Sequence, residues 1–365
     1  MLNFAILAIP SIIVLIVMKY KYDHHISTKE VLIHAGAIIV MSLVVLGLTY
    51  AVLYAKLGDV EILNGEVTNK YKHTEWCTQS SSCKYYTWHE RCSYSTDSKG
   101  KRTKSCVSYK VFDYTYEVDW YVESTVGSNV IERVNRQGTQ MPSRWAAVKM
   151  GDPAAAEHYY TNYLFADEHS LFAERKFEES YDVEYQKEIP DYPSVYDYYN
   201  VSHIVNSTKH SVAGYEQYIA NELKTLGKEK QLNLVIVLYN HNDPLYTDAL
   251  LSKWRGGKKN DVIMMFGLDA DGTVRSFRST SFAQGMKNEM LHSTLRIDAL
   301  SEKMNIHLLE KQVKTVAEKF NRLPNEDFKY MKYKMEPKKE FIVLGSIVLL
   351  VMSIFIGLYM RDNEL

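Results

Sequence analysis

The side chains able to do chemistry fall into two groups. The first is Cys77, Cys83, Cys92 and Cys106, which are all the cysteines of the chain. Their spacings include no Cys-x-x-Cys pair, which most zinc sites and redox motifs would show. An even count in a loop-rich segment points to two disulfides. The pairing stays open, because four cysteines allow three connectivities. His73 and His89 keep a zinc site as the lesser alternative. The second group is acidic. Asp261 and Asp269 flank one apolar run, and Asp243 and Asp248 lie near the end of another. Ligands of open α/β sheets collect at the carboxyl ends of strands. Asp261 and Asp269 are therefore the candidate ligands of a divalent metal, calcium or magnesium. No P-loop, Gly-x-Ser-x-Gly, His-Glu-x-x-His or dinucleotide fingerprint is present. His241 stands alone in a loop and reads as a surface residue.

The elements that must position these carboxylates lie between Leu232 and Arg278. The apolar, β-rich run Leu232 to Tyr239 is followed by a proline-containing loop and a short helical run ending in Lys-Trp-Arg-Gly-Gly. A second apolar run, Val262 to Leu268, leads into Asp-Ala-Asp-Gly and a third, alternating run. Strand, helix, strand, hairpin is the order of a small α/β domain whose first two strands are parallel. Leu234, Ile236, Val262 and Met264 are its expected core. Ser211 to Leu226 reads as a preceding helix that Gly227 ends. Phe282 to Leu291 and Leu300 to Phe320 read as two following helices.

The segment Tyr246 to Arg278 resembles the signature of the TPM-domain family. The resemblance rests on a helix ending in Trp254, then Gly257, Lys259, Asn260 and Asp261, then an apolar strand ending in the acidic Asp269, with Arg275 in the following strand. It covers about residues 211–320. It implies an α/β fold tethered to a membrane and exported. It also implies either a phosphatase, as described for plant thylakoid members, or an assembly role, to which some bacterial members are linked. Each matching residue also has a structural reading. Trp254 suits a core plug. Gly256 and Gly257 suit a left-handed helix terminus. Lys253, Lys258 and Lys259 complement the negative end of that helix, or receive an anionic partner. Asp269-Ala-Asp-Gly looks like the start of a calcium loop. An EF-hand would need a closing Glu where Phe277 and Thr280 stand, so a tight Asp-Gly hairpin is the better reading.

Around this domain the chain divides. Residues 2–18, 31–54 and 341–360 form apolar runs of a length that spans a bilayer. For the first, a signal peptide is the rival reading, yet Met1 to Phe4 carries no basic residue. Lys19, Lys21 and Lys29 put the first connecting loop in the cytoplasm, hence the long segment after Tyr54 outside it. Lys334, Lys338 and Lys339 vote the other way, with less weight beside a large domain. Residues 61–164 read as a disulfide-stapled antiparallel β domain or a β-rich insertion. Its strands are expected over Val107 to Ser124, broken at Phe112 to Asp113, and at Val130 to Val134 and Trp145 to Val148. Residues 165–200 are an acidic, tyrosine-rich connector with Pro190 and Pro193, lying across a partner or across the domain itself. Residues 201–325 hold the TPM-like domain. Asn200-Val-Ser and Asn206-Ser-Thr match glycosylation sequons.

Composition excludes one class of partner. Lys and Arg number 43 against 44 Asp and Glu, so nothing favours nucleic acid. The 28 tyrosines, many beside charges, suit half-buried strands and binding surfaces. The expectation is a multi-pass protein of the cytoplasmic (inner) membrane with its main domains on the outer or periplasmic side. It binds or assembles another membrane or envelope component and is not primarily an enzyme. A metal-dependent phosphatase of the TPM type is the alternative. Oligomeric state is not legible.

Overall fold

The computed structural model describes residues 2–22, 27–78, 81–132, 139–166, 176–282 and 287–363. In chain order its elements are α1 (Leu2–Lys21), α2 (Thr28–Ala55), β1 (Gly58–Trp76), β2 (Tyr86–Thr96), β3 (Arg102–Phe112), β4 (Tyr116–Ser124), β5 (Gly127–Val130), α3 (Ser143–Ala147), β6 (Pro153–Thr161), α4 (Lys176–Ser180), α5 (Val183–Glu188), β7 (Ile204–Asn206), α6 (Tyr215–Lys230), β8 (Asn233–Asn240), α7 (Tyr246–Lys253), β9 (Asp261–Leu268), β10 (Val274–Ser281), α8 (Glu289–Ala299), α9 (Ile306–Lys319) and α10 (Lys339–Asn363). They form two compact units. One comprises Met1–Asp59, Tyr160–Ala173 and Pro324–Leu365; the other comprises Val60–Tyr159 and Glu174–Leu323.

The first unit is a bundle of α1, α2 and α10. Two of these helices, α2 and α10, are long and apolar enough to cross a membrane. α1 packs along both and continues as a helix through Pro10. Ser346 Oγ donates to Ile6 O at 3.2 Å and Ser353 Oγ to Ser11 O at 3.2 Å, so α1 and α10 run parallel. His34 meets Ser353 at 2.9 Å, while a Cβ on Gly345 would touch Val45, so α2 runs antiparallel to both. The end of α1, the start of α2 and the end of α10 therefore share one end of the bundle. The chain leaves α2 and re-enters α10 at the other end. Polarity is reversed relative to a water-soluble bundle. Ser11, His34, Ser42 and Ser353 are buried, while Ile13, Ile16, Leu32, Val40 and Phe355 are exposed.

The second unit contains two four-stranded sheets and a separate two-stranded hairpin. One sheet has the order β10-β9-β8-β7. β7, β8 and β9 are parallel, and β10 returns antiparallel to β9. The expected strand, helix, strand, hairpin order is present. Side chains alternate across the sheet. Leu234, Ile236, Leu238, Val262, Met264 and Phe266 pack on α6, α8 and α9. Val235, Val237, Ile263 and Met265 pack on α7 and on Phe177 and Ile189 of the acidic connector. Burial on both faces explains why β8 and β9 read as continuous apolar runs rather than alternating ones. The described part of the connector from Phe177 to Tyr192 thus lies across the α/β sheet, with Tyr181, Tyr185 and Tyr192 turned inward.

The other sheet has the order β5-β4-β1-β6, with β4 antiparallel to the 19-residue β1. Residues 61–159 and 201–323 belong to one compact unit, whereas 160–164 and 324–325 fall in the other. Several local expectations change. Trp145 to Val148 is not a strand, because Ser143–Ala147 forms a helical turn. The turn seats Trp145 on Trp120 at 4.8 Å, with its indole N–H donating to Tyr121 O. The expected strand at 130–134 lies earlier, at Gly127–Val130; residues 133–138 lie outside the described set. Gly227 does not end α6, which runs on to Lys230 with Gln231 in the left-handed region as its cap. Gly227 is needed for close approach, since a Cβ there would lie 2.2 Å from Asn64 O on β1. The helix expected at 282–291 begins at Glu289; residues 283–286 lie outside the described set. α9 starts at Ile306 rather than Leu300, because the intervening backbone bonds to the β9–β10 turn, with Ser301 N to Val274 O and Met304 N to Gly272 O.

Candidate functional site

The two candidate metal ligands do not meet. Asp261 is the first residue of β9 and Asp269 follows its last. Eight steps of about 3.3 Å separate them by about 26 Å, too far to share an ion. The error lies in treating both flanks of a strand as one end of the sheet.

Asp261 belongs to a polar seam that ties the two sheets of the second unit together. Its carboxylate accepts from Tyr192 OH at 2.9 Å, Asn233 Nδ2 at 2.9 Å and the backbone N–H of Lys258 at 2.7 Å. Asn233 in turn accepts from Asn64 of β1 at 2.9 Å, and Asn260 Nδ2 donates to Ile62 O at 2.6 Å. Beside it, the buried Glu61 carboxylate pairs with Lys259 and Arg322, each at 2.9 Å, and with His158 at 2.8 Å. Burial pushes Asp261 up to about 6, against the hydrogen bonds that lower it. Gly257, at φ 86°, makes the turn into the seam, where any Cβ would strike Ile263 at 2.6 Å. Trp254 is a core plug, 3 % exposed, its indole N–H donating to Pro190 O at 2.9 Å. The residues of the Trp-Gly-Lys-Asn-Asp motif are thus committed to packing and to joining the sheets.

The carboxyl ends of the parallel strands offer scattered acids. Asp243 accepts from Tyr185 OH at 2.7 Å and Asp248 pairs with Arg278. Asp269 accepts from its neighbour's N–H at 2.7 Å and from Arg275 at 3.1 Å, which together hold it below the usual carboxylate range. Gly272 at φ 84° closes the Asp-Gly hairpin turn. His241 Nδ1 lies 3.0 Å from Leu268 O. Among the described residues, the groups of three His, Cys or carboxylate ligands that converge are Cys77, Cys83 with Glu117, and Cys92, Cys106 with Glu90. Their sulfurs are bonded to each other, not free as thiolates.

A cleft of about 300 Å³ that sequence reasoning missed lies in the same unit, lined by Asn64, Tyr199, His203 and Glu216 among others. Burial pushes His203 down to about 4, so it stays neutral, and its Nδ1–H donates to Leu234 O at 3.0 Å. Burial raises Glu216, although it accepts from the backbone N–H groups of His203 and Ile204. A lone His and Glu carry no spacing signal; the acidic first turn of α6 was the one available hint.

The cysteines form Cys77–Cys83 and Cys92–Cys106, which removes the zinc alternative with His73 and His89. Cys92 and Cys106 sit directly opposite each other in the β2–β3 hairpin, whose 11-residue strands pair with no other strand among the described residues. Its base is fixed to the β1–β4 sheet. Buried Glu117 accepts from the backbone N–H groups of Lys84 and Tyr85, and Lys84 Nζ bridges Asp119 and Glu132. Beyond that base both faces are solvent-exposed. Trp88 is 63 % exposed, Tyr94 58 % and Val107 67 %. No protein-family model matches the chain, and no curated protein or solved structure is similar to it at a significant level.

Proposed function

We propose that this is a multi-pass membrane protein with three spans, whose region from about 56 to 338 lies outside the cytoplasm and binds or assembles another membrane or envelope component. The observation that carries the binding role is the projecting hairpin. Large apolar side chains left exposed on a covalently stapled element favour docking over solvent exposure alone. An isolated two-stranded hairpin is marginal in water. Closing a 14-residue separation with a disulfide adds roughly 3 kcal/mol in the chain-entropy account. That reinforcement suits a surface kept rigid for a partner.

The bundle supports the membrane reading through its inward polar and outward apolar residues. Lys19, Lys21 and Arg361 share the end that the short first loop marks as cytoplasmic. Disulfides persist outside the cytoplasm, in agreement with that orientation. The parallel β8–β9 pair with its hairpin return supports the TPM resemblance for the α/β part. The length of β9 between Asp261 and Asp269 weighs against the phosphatase alternative.

The test is a photo-crosslinking residue placed at Trp88 in the full-length protein in its own membranes. The expected result is a discrete adduct that is absent when the same probe replaces Arg275 in the β9–β10 hairpin. Equal, diffuse labelling from both positions would contradict a binding arm.

A further inference from the structure

Directly opposed residues of a hairpin share a face, and the two faces of β2–β3 differ. One carries Tyr86, Trp88, Tyr94 and Phe112 together with Arg102, Lys104 and Lys110. Lys110 Nζ lies 4.1 Å from the Tyr86 ring centre, and the Arg102 guanidinium lies 4.7 Å from that of Tyr94. Glu90 is the one carboxylate on that face. The connecting turn adds Lys99 and Lys101 against Asp97. Cations held against aromatic rings already have part of their hydration removed and their side chains ordered, which lowers the cost of meeting an anionic surface.

The same chain exposes the complement. Glu178, Glu179, Asp182, Glu184, Glu188, Asp191 and Asp197 are all exposed along the connector. Glu184 pairs with Lys187, Asp191 with Lys253 and Asp197 with Arg144, which leaves Glu178, Glu179, Asp182 and Glu188 to carry the strip's excess charge. Val183, 66 % exposed, and Tyr196, 57 %, supply apolar surface between these charges. The connector's other side is used up against β8 and β9, so its acidic side is the one a second molecule meets.

We propose that the aromatic-basic face of the hairpin docks on the acidic connector of a second copy of this chain. The proposal rests on the reading of the hairpin as a binding arm and names its occupant. Arm and strip are different surfaces carried by the same copy, so the contact closes as a reciprocal two-fold exchange of arms or continues head to tail. One face of an 11-residue ribbon, about 34 Å long, is smaller than the roughly 800 Å² per partner of a stable soluble complex. Confinement of both copies to one membrane raises their effective concentration and compensates for the small area.

The experiment measures energy transfer between labelled full-length copies in vesicles of phosphatidylcholine alone. Wild-type protein is expected to associate, and to lose association toward about 1 M salt, where charges more than about 3 Å apart are screened. Arg102→Glu, Lys104→Glu and Lys110→Glu together should weaken it at least about tenfold, as should Glu178→Lys, Glu179→Lys and Glu188→Lys together. Mixing the two variants should restore it, because each then meets an arm or strip of opposite sign; recovery also proves that both variants fold. Lack of wild-type association, indifference to both variants, or a mixture no better than its components would each overturn the proposal. Association that needs anionic lipid would assign the face to the bilayer instead. An adduct from Trp88 to a different protein, without self-association, would leave the binding-arm reading standing and remove this one.

Discussion

At the scale of residues, two buried groups pull the pH dependence of stability in opposite directions. Asp261 binds its proton more tightly folded, at about 6, than unfolded, at about 3.8. Its contribution is fully present below the unfolded value and is lost as pH rises through about 6. His203 is the reverse, with a folded value of about 4 against 6.5. Its contribution is present above 6.5 and is lost as pH falls toward about 4. The two slopes overlap between pH 4 and 6 and largely cancel in the wild type. Asp261→Asn should therefore unmask a stability that rises with pH across this window. The gap from wild type should change by about 2 kcal/mol between pH 4 and pH 7. Denaturant titrations of the two proteins at several pH values measure it; parallel curves would mean that Asp261 ionises freely in the fold. That carboxylate shows how a motif residue can be conspicuous in sequence for a structural reason. Trp254, Gly257, Asn260 and Asp261 stand out because a buried turn and a seam between sheets tolerate few alternatives.

At the scale of elements, the hairpin should be separable from the α/β core. Cys92→Ser with Cys106→Ser removes the cross-strand bond from a ribbon that has no third strand among the described residues, so trypsin should cut at Lys99, Lys101 or Lys104 well before the core opens. Fragment masses over a digestion time course test this; cleavage no faster than in the wild type would show that packing rather than the disulfide holds the arm. The strands β8 and β9 were legible because Leu232 to Tyr239 and Val262 to Leu268 are continuous apolar runs bounded by turn residues, and β10 as the alternating run after Asp-Ala-Asp-Gly. The break at Phe112 to Asp113 was legible as a slip in alternation, and the structure ends β3 there. Other features depend on partners far along the chain. Gly227 reads as a helix stop until Asn64 is found against it. Leu300 reads as helix until the turn at Gly272 claims the backbone of Met304. The seam through Asn64, Asn233 and Asp261 joins residues more than 160 positions apart in sequence at its widest link, and no local pattern announces it.

At the scale of the full chain, the proposed role requires the stapled region to lie outside the cytoplasm. The bundle lets the chain leave α2 and re-enter α10 at one end, and that end should face an oxidising compartment. Maleimide labelling of thiols in intact cells tests this directly, with reagents that do not cross the cytoplasmic membrane. The expected result is no labelling before treatment with an impermeant reductant and labelling of Cys77, Cys83, Cys92 and Cys106 after it. Labelling that needs no reductant and appears only once the cytoplasmic membrane is permeabilised would put the cysteines, reduced, in the cytoplasm and contradict the account.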